Sequence, residues 1–197
     1  MIIEIGEGVF RKAARWTTRR IAHVPDDFQI SANESSVQFQ NDDSSTGKWL
    51  THLRELGLSG KHIVIEISVG MLLNADPSIT NKLLKFRDAE IEGSIDDFST
   101  GYSSLSYLKR FDIDYLKIDK SFVHDIASDM ALSKAIVMMV RKLGLNVIAE
   151  GAETYAQKDS LLAAGCDYAQ GYLFSRPVPK KEFERLLKDA NESEAGR

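Results

Sequence analysis

Apolar residues recur along this chain with two alternating periods, one near 3.6 and one near 2, and the alternation lays out its elements. Residues 6–22 space Val9, Ala13 and Trp16 against an arginine-rich opposite side, which predicts an opening helix with one apolar stripe. A short strand is expected over 28–33, then a polar loop over 40–47 whose serines can cap the next helix. That helix carries Trp49, Leu50, Leu53 and Leu56 on one side and stops near Gly57. Over 62–68 the period falls to two, with Ile63, Ile65 and Ile67 on one face and His62, Val64, Glu66 and Ser68 on the other. Asp76 and Pro77 mark the start of a helix bearing Ile79, Leu83 and Leu84. A strand over 94–98 ends on Asp96 and Asp97, followed by a turn from Ser99 to Ser104 and a short helix carrying Leu105 and Leu108. Over 114–119 Leu116 and Ile118 oppose Tyr115, Lys117 and Asp119. The helix over 128–143 presents Leu132, Ala135, Ile136, Met139, Val140 and Leu143 as a core stripe, with Gly144 as its stop. A strand over 146–150, a helix over 154–164, a strand over 167–174 and a helix over 179–190 complete the pattern, with 191–197 as a disordered tail.

Regular alternation of strands and helices predicts an α/β domain with a parallel sheet of about six strands. An open doubly wound sheet and a closed barrel both fit that order, and the polar residues choose between them. Asn33, Glu66, Asp96, Asp97, Lys117, Asp119, Glu150, Glu153 and Gln170 fall at or just past the C-terminal ends of successive strands. An open sheet gathers its site at one switch point, whereas a TIM-type (β/α) barrel collects a contribution from nearly every strand around one mouth. The expectation is one N-terminally truncated barrel domain over 1–190, with flanking helices and about two strands fewer than a closed barrel of eight.

Composition narrows the partners. At 197 residues, 43% hydrophobic and 27% charged, the chain can bury the core of one ordinary domain. A net charge of −4 leaves no global basic field for a nucleic-acid polymer or an anionic membrane, and no apolar run approaches membrane-spanning length. Cys166 is the single cysteine, which excludes an internal disulfide, fits a cytoplasmic protein and reads as a small buried hydrophobe. The histidines, His23, His52, His62 and His124, are scattered without ligand spacing.

Adjacent carboxylates raise each other's proton affinity unless a cation or hydrogen-bond donors neutralise them, so Asp96 and Asp97 at a strand end point to a metal or phosphate site. Taken alone, such a pair is more simply an Asx turn or a helix cap. The recurrence of Glu66, Glu150 and Glu153 at other strand ends shifts the balance. Oxygen donors without histidine or thiolate favour Mg²⁺ or Mn²⁺. Such ions support metal-assisted hydrolysis of a phosphodiester, with Lys117 as the one obvious cation of the mouth. Singly, Glu150 is also readable as a cap or ion pair, Gln170 as a sheet-end hydrogen bond, and Asp119 as an ion-pair partner of Lys117 or Lys120.

Four motifs in order carry a resemblance: Asp96-Asp-Phe-Ser-Thr-Gly-Tyr-Ser-Ser-Leu105, Leu116-Lys-Ile-Asp-Lys-Ser-Phe122, Ile148-Ala-Glu-Gly-Ala-Glu153 and Gln170-Gly-Tyr-Leu-Phe-Ser-Arg-Pro177. Together they closely resemble the EAL domain, the bacterial cyclic-di-GMP phosphodiesterase module, and the likeness runs from about Ile5 to Leu187. The resemblance implies that Asn33, Glu66 and Asp96 are metal ligands and that Asp97 holds a second metal. It implies further that Lys117 lies near the attacking water, that Glu150 is the general base with Glu153 in support, and that Gln170 contacts substrate and metal. The sequence also departs from the family. The Glu-Ala-Leu tripeptide that names it is absent, Val69 stands where a second glutamate is usual, Ser99 replaces a glycine and Ala152 a valine.

The resulting expectation is an EAL-type cyclic-di-GMP phosphodiesterase core that hydrolyses its substrate to the linear dinucleotide, weakly or not at all as this short chain, and that self-associates as a homo-oligomer. The alternative is a non-catalytic signalling module that binds cyclic-di-GMP or a protein partner. A barrel aldolase with Lys117 as Schiff-base nucleophile is disfavoured, because neighbouring acids keep that amine protonated.

Overall fold

The β-branched stretches become strands because helices cover one face while the other turns inward. In a computed structural model, which describes the chain except residues 41–43, 74–76, 99–110, 127–129 and 196–197, the strands are β1 (Ile30–Asn33), β2 (Ile63–Ser68), β3 (Glu92–Phe98), β4 (Tyr115–Ile118), β5 (Asn146–Glu150) and β6 (Tyr168–Gln170). All neighbours pair in parallel and in chain order, so the sheet has no switch point and winds as a (β/α) barrel does. Six strands curl into a half-barrel that ends at β1 and β6.

Around the sheet lie α1 (Ile2–Arg20), α2 (Ser36–Gln40), α3 (Ser44–Leu56), α4 (Val69–Leu73), α5 (Pro77–Asp88), α6 (Lys120–Asp125), α7 (Met130–Lys142), α8 (Tyr155–Ala164) and α9 (Lys180–Ala195). Ile63, Ile65, Ile67, Ile95, Leu116 and Val147 of the outer sheet face join Phe10, Trp49, Leu53, Ile79 and Phe86 of the helices in one buried cluster. Burying each such side chain stabilises the fold by roughly 1.5–3 kcal/mol. The inner face carries the even-numbered residues of β2, with Val64 and Glu66 buried as well. The chain's two ends meet across the open side. Trp16 packs on Phe183 at 5.3 Å and donates to Glu184, which also pairs with Arg20 at 2.9 Å.

Two helices turn a different face to the core from the one the periodicity predicts. In α1 the buried residues are Phe10, Ala14 and Thr17, one position on from the expected stripe, and Val9 is exposed. Phe10 decides this by stacking flat on Trp49 at 4.0 Å, while the Thr17 hydroxyl donates to the Ala13 carbonyl and so enters the core with its donor satisfied. In α7 Ile136 and Val140 are buried as expected, but Ser133 and Val137 share that face and Leu132 and Met139 are exposed. The methionine-bearing stripe is therefore only partly core.

The expected stops Gly57 and Gly144 adopt φ of 64° and 85°, the left-handed conformation glycine adopts at no steric cost. Thr154 caps α8 in a reciprocal capping box with Gln157. Helix α9 continues to Ala195, well into the stretch expected as a tail. Strand β6 is shorter than the expected 167–174, although the Leu173 N–H still donates to the Ala152 carbonyl. The Asp76 cap, the turn from Ser99 and the short helix around Leu105 and Leu108 lie outside the described residues. No helix among the described residues is long and apolar enough to cross a membrane.

Candidate active site

Parallel strands place register partners on the same face, and this rule assembles the site. Asn33 of β1 pairs with Glu66 of β2, Ser68 of β2 with Asp96 of β3, and Glu150 of β5 with Gln170 of β6. Lys117 of β4 projects into the middle. Its ammonium lies 3.1 Å from Glu66 Oε2, 3.4 Å from Asp96 Oδ1 and 2.6 Å from Glu150 Oε1. Lys117 and Glu66 are 3% and 6% exposed, so their charges depend on one another. Asp96 and Glu150 keep 23% and 20% of their side-chain surface open and can be reached by a ligand.

Between Ile95 and Phe98 two residues of β3 face one residue of β4, Lys117. This bulge falls on Asp96 and Asp97, and a bulge at a strand end re-aims side chains locally. The Asp97 side chain lies outside what the structure describes. Burial works against the Lys117 ammonium, but the hydrogen bond to Glu150 and the charges of Glu66 and Asp96 outweigh it and hold the amine firmly protonated. At Glu150 burial raises the carboxyl above its ordinary range, with the Lys117 contact opposing and Asp96 and Glu66 adding to the rise. An amine held protonated in this way is no nucleophile, which disposes of the aldolase reading.

The remaining sequence candidates divide. Asn33 and Gln170 flank the cluster on the edge strands, both exposed. Glu153 is exposed, and its described bond is a backbone N–H donated to Gln157 Oε1 at 2.8 Å. Asp119 turns out to be a helix cap, accepting from the Ser121 N–H and hydroxyl, which holds its carboxyl below the ordinary range. Val69 opens α4 and packs partly buried against the core.

Sequence reading missed a second buried pair beside the mouth. Lys82 Nζ lies 2.7 Å from Glu34 Oε1, with the two residues 2% and 4% exposed. A signal existed, because Lys82 sits three residues after Ile79 and four before Phe86, on the apolar stripe of α5. Beneath Lys117 the inner face has a polar floor, where the Tyr115 hydroxyl donates to Gln29 Oε1 at 3.1 Å and Gln29 donates to Glu92.

For a divalent cation the donor chemistry fits. Asn33, Glu66 and Asp96 are hard oxygen donors on three neighbouring strand ends, and Ser94 Oγ, in register with Glu66, is buried without a hydrogen-bond partner. Among the described residues no group of three or more His, Cys, Asp or Glu is placed to hold a metal ion by itself.

A parallel (β/α) half-barrel with a carboxylate-rich, lysine-centred mouth defines the class. The chain belongs to the EAL domain family, whose family model matches residues 1–177. It is 39% identical over 191 residues to signaling protein YkoW of Bacillus subtilis, covering 95% of this chain and 24% of that protein. It spans about a quarter of the length of the curated relatives it matches. The solved "PaMucR Phosphodiesterase, c-di-GMP complex" superposes with a TM-score of 0.85 at 34% identity, covering 92% of this chain and 74% of that one. A manganese and cyclic-di-GMP complex of BlrP1 from Klebsiella pneumoniae superposes with a TM-score of 0.78 at 27% identity, covering 89% of this chain and 45% of that one.

Proposed function

We propose that this chain is the catalytic-lineage part of a cyclic-di-GMP phosphodiesterase, acting in the cytoplasm on the cyclic dinucleotide and opening one phosphodiester to give the linear form. The observation that carries this reading is the Lys117 ammonium held among Glu66, Asp96 and Glu150 from three other strands. Asn33, Glu66 and Asp96, with Asp97, would hold Mg²⁺ or Mn²⁺. Bound there, such ions polarise water and phosphate and stabilise the leaving oxygen. Glu150 takes the proton from the attacking water, aided by a carboxyl raised above its ordinary range. Lys117 orients Glu150 and offsets phosphate charge, Gln170 contacts the dinucleotide, and Glu153 supports from the loop after β5.

Slow turnover is proposed, because Val69 brings no carboxylate to the end of β2. The exposure of Glu153 favours, as a second reading, a module that binds cyclic-di-GMP without hydrolysing it. We also propose that the chain self-associates as a homo-oligomer, since β1 and β6 each pair on one side only among the described residues and unpaired sheet edges invite association. Linear-product formation with saturating Mn²⁺ tests the enzyme reading. Slow turnover abolished by Glu150→Gln supports it, whereas tight binding of cyclic-di-GMP with no turnover, even at high protein concentration, selects the binding module.

A further inference from the structure

We propose that Lys82 is a positioning residue for the Asn33 end of the site, acting through Glu34 and the turn that follows β1; the inference rests on the metal-site reading above. Helix α2, with five residues, is too short to hold itself together and is fastened at both ends. At its start Ser35 and Gln38 bond reciprocally, the Gln38 N–H to Ser35 Oγ at 3.3 Å and the Ser35 N–H to Gln38 Oε1 at 3.3 Å. At its end Lys82 Nζ donates to the carbonyls of Gln38 and Phe39, both at 3.3 Å, and lies 4.4 Å above the Phe39 ring. The same ammonium grips Glu34 Oε1 at 2.7 Å. One buried charge thus ties Glu34, two residues before α2, to the helix's far end.

Glu34 directly follows Asn33, and its N–H donates to the Glu66 carbonyl at 2.9 Å, extending the β1–β2 ladder one step past Asn33. Glu34 is therefore fixed twice, by its backbone to the strand carrying Glu66 and by its side chain to α5. Helix α5 in turn leads into β3 and Asp96. The pair joins the strand ends that carry Asn33, Glu66 and Asp96, although neither Glu34 nor Lys82 reaches a ligand position. Partners that hydrogen-bond a metal ligand directly weaken binding about 10–100-fold when lost, and this pair, which holds the strand ends rather than the ligand atoms, is expected to act at the lower end of that range.

The test compares the full chain with the double variant E34L/K82M, since an apolar pair commonly replaces a buried ion pair without loss of stability. Urea unfolding verifies that it folds. Mn²⁺ affinity is read by the paramagnetic resonance of free Mn²⁺, and the exchange rate of the residue-34 amide is read separately without metal. Weaker Mn²⁺ binding by about tenfold, with faster exchange at residue 34 and a single cooperative unfolding transition, is expected. Wild-type affinity together with wild-type exchange overturns the proposal. Should the double variant not fold, Glu34→Gln replaces it, with a smaller change in the same direction expected and no change overturning the inference. If the wild-type chain binds no Mn²⁺, or Asn33→Ala binds it as well as wild type does, the metal-site reading fails on its own, and exchange at residue 34 alone then decides whether Lys82 positions this turn.

Discussion

Lys117 Nζ lies 2.6 Å from Glu150 Oε1, the shortest of its three carboxylate contacts. The two residues stand on adjacent parallel strands, Lys117 in register with Ile148 and Glu150 two residues further along the same face. A buried cation is thereby stationed beside the carboxylate proposed to accept a proton. Glu66 and Asp96 complete its surroundings, so the lysine is as much the electrostatic keystone of the mouth as a partner in chemistry.

Replacing Lys117 by Met leaves the buried Glu66 carboxylate without its cation and sets it against Asp96 and Glu150. Removing one partner of a buried ion pair costs about 3–5 kcal/mol. Urea unfolding of Lys117→Met is expected to show a loss of that order, with cyclic-di-GMP turnover abolished. A variant as stable as wild type would mean that the cluster is already neutralised by other means.

Gly171 follows Gln170, and a Cβ built there would lie 2.2 Å from the Ala152 carbonyl oxygen and 2.4 Å from its nitrogen. Backbone cannot yield as a side-chain tip can. Gly171→Ala is expected to cost about 1–3 kcal/mol in unfolding experiments, the usual range for overpacking. It should also weaken dinucleotide binding, because Gln170 is displaced from its register with Glu150.

Glu90 holds φ of 63°, a left-handed conformation that costs a side-chain-bearing residue about 1–2 kcal/mol. Its carboxylate accepts one exposed hydrogen bond from Ser59 at 2.8 Å. Relief of strain outweighs that bond and the extra freedom glycine gives the unfolded chain. Glu90→Gly is expected to raise the unfolding midpoint slightly, by about 1–2 °C. A lowered midpoint would show that the Ser59 contact matters more than the backbone.

Burial pushes the Cys166 thiol up to about 11, with Asp167 adding to the rise and Arg141 opposing it. At pH 8 its alkylation by iodoacetamide should be on the order of a hundredfold slower in the folded chain than after denaturation, since the thiolate is the nucleophile. The folded state holds the proton more tightly than the unfolded one. Its contribution to stability is therefore present below the unfolded thiol's range near pH 9 and is lost as pH rises through about 11. Equal alkylation rates in both states would contradict this burial.

By itself the sequence determined the six strands, the helices α1, α3, α5, α7, α8 and α9, and the placing of Glu66, Asp96, Lys117 and Glu150 near strand ends, but not the short helices α2, α4 and α6. Period-two alternation in 62–68 and 114–119 marks strands because successive side chains must point to opposite faces, and β2 and β4 form there. Polar residues at successive strand ends imply a barrel mouth because parallel strands in chain order carry all their C-terminal ends to one side. Tertiary structure alone decided which face of α1 and α7 is buried, since two neighbouring helical stripes of similar polarity differ only in what they meet, and Phe10 meets Trp49. It also turned Asp119 into a cap and left Glu153 exposed, because a carboxylate's partner is fixed by distances of a few ångströms that spacing in sequence does not encode. The Glu34 and Lys82 pair is the clearest instance. Forty-eight residues separate the two, and only the packing of α5 against the turn after β1 brings their opposite charges together out of water.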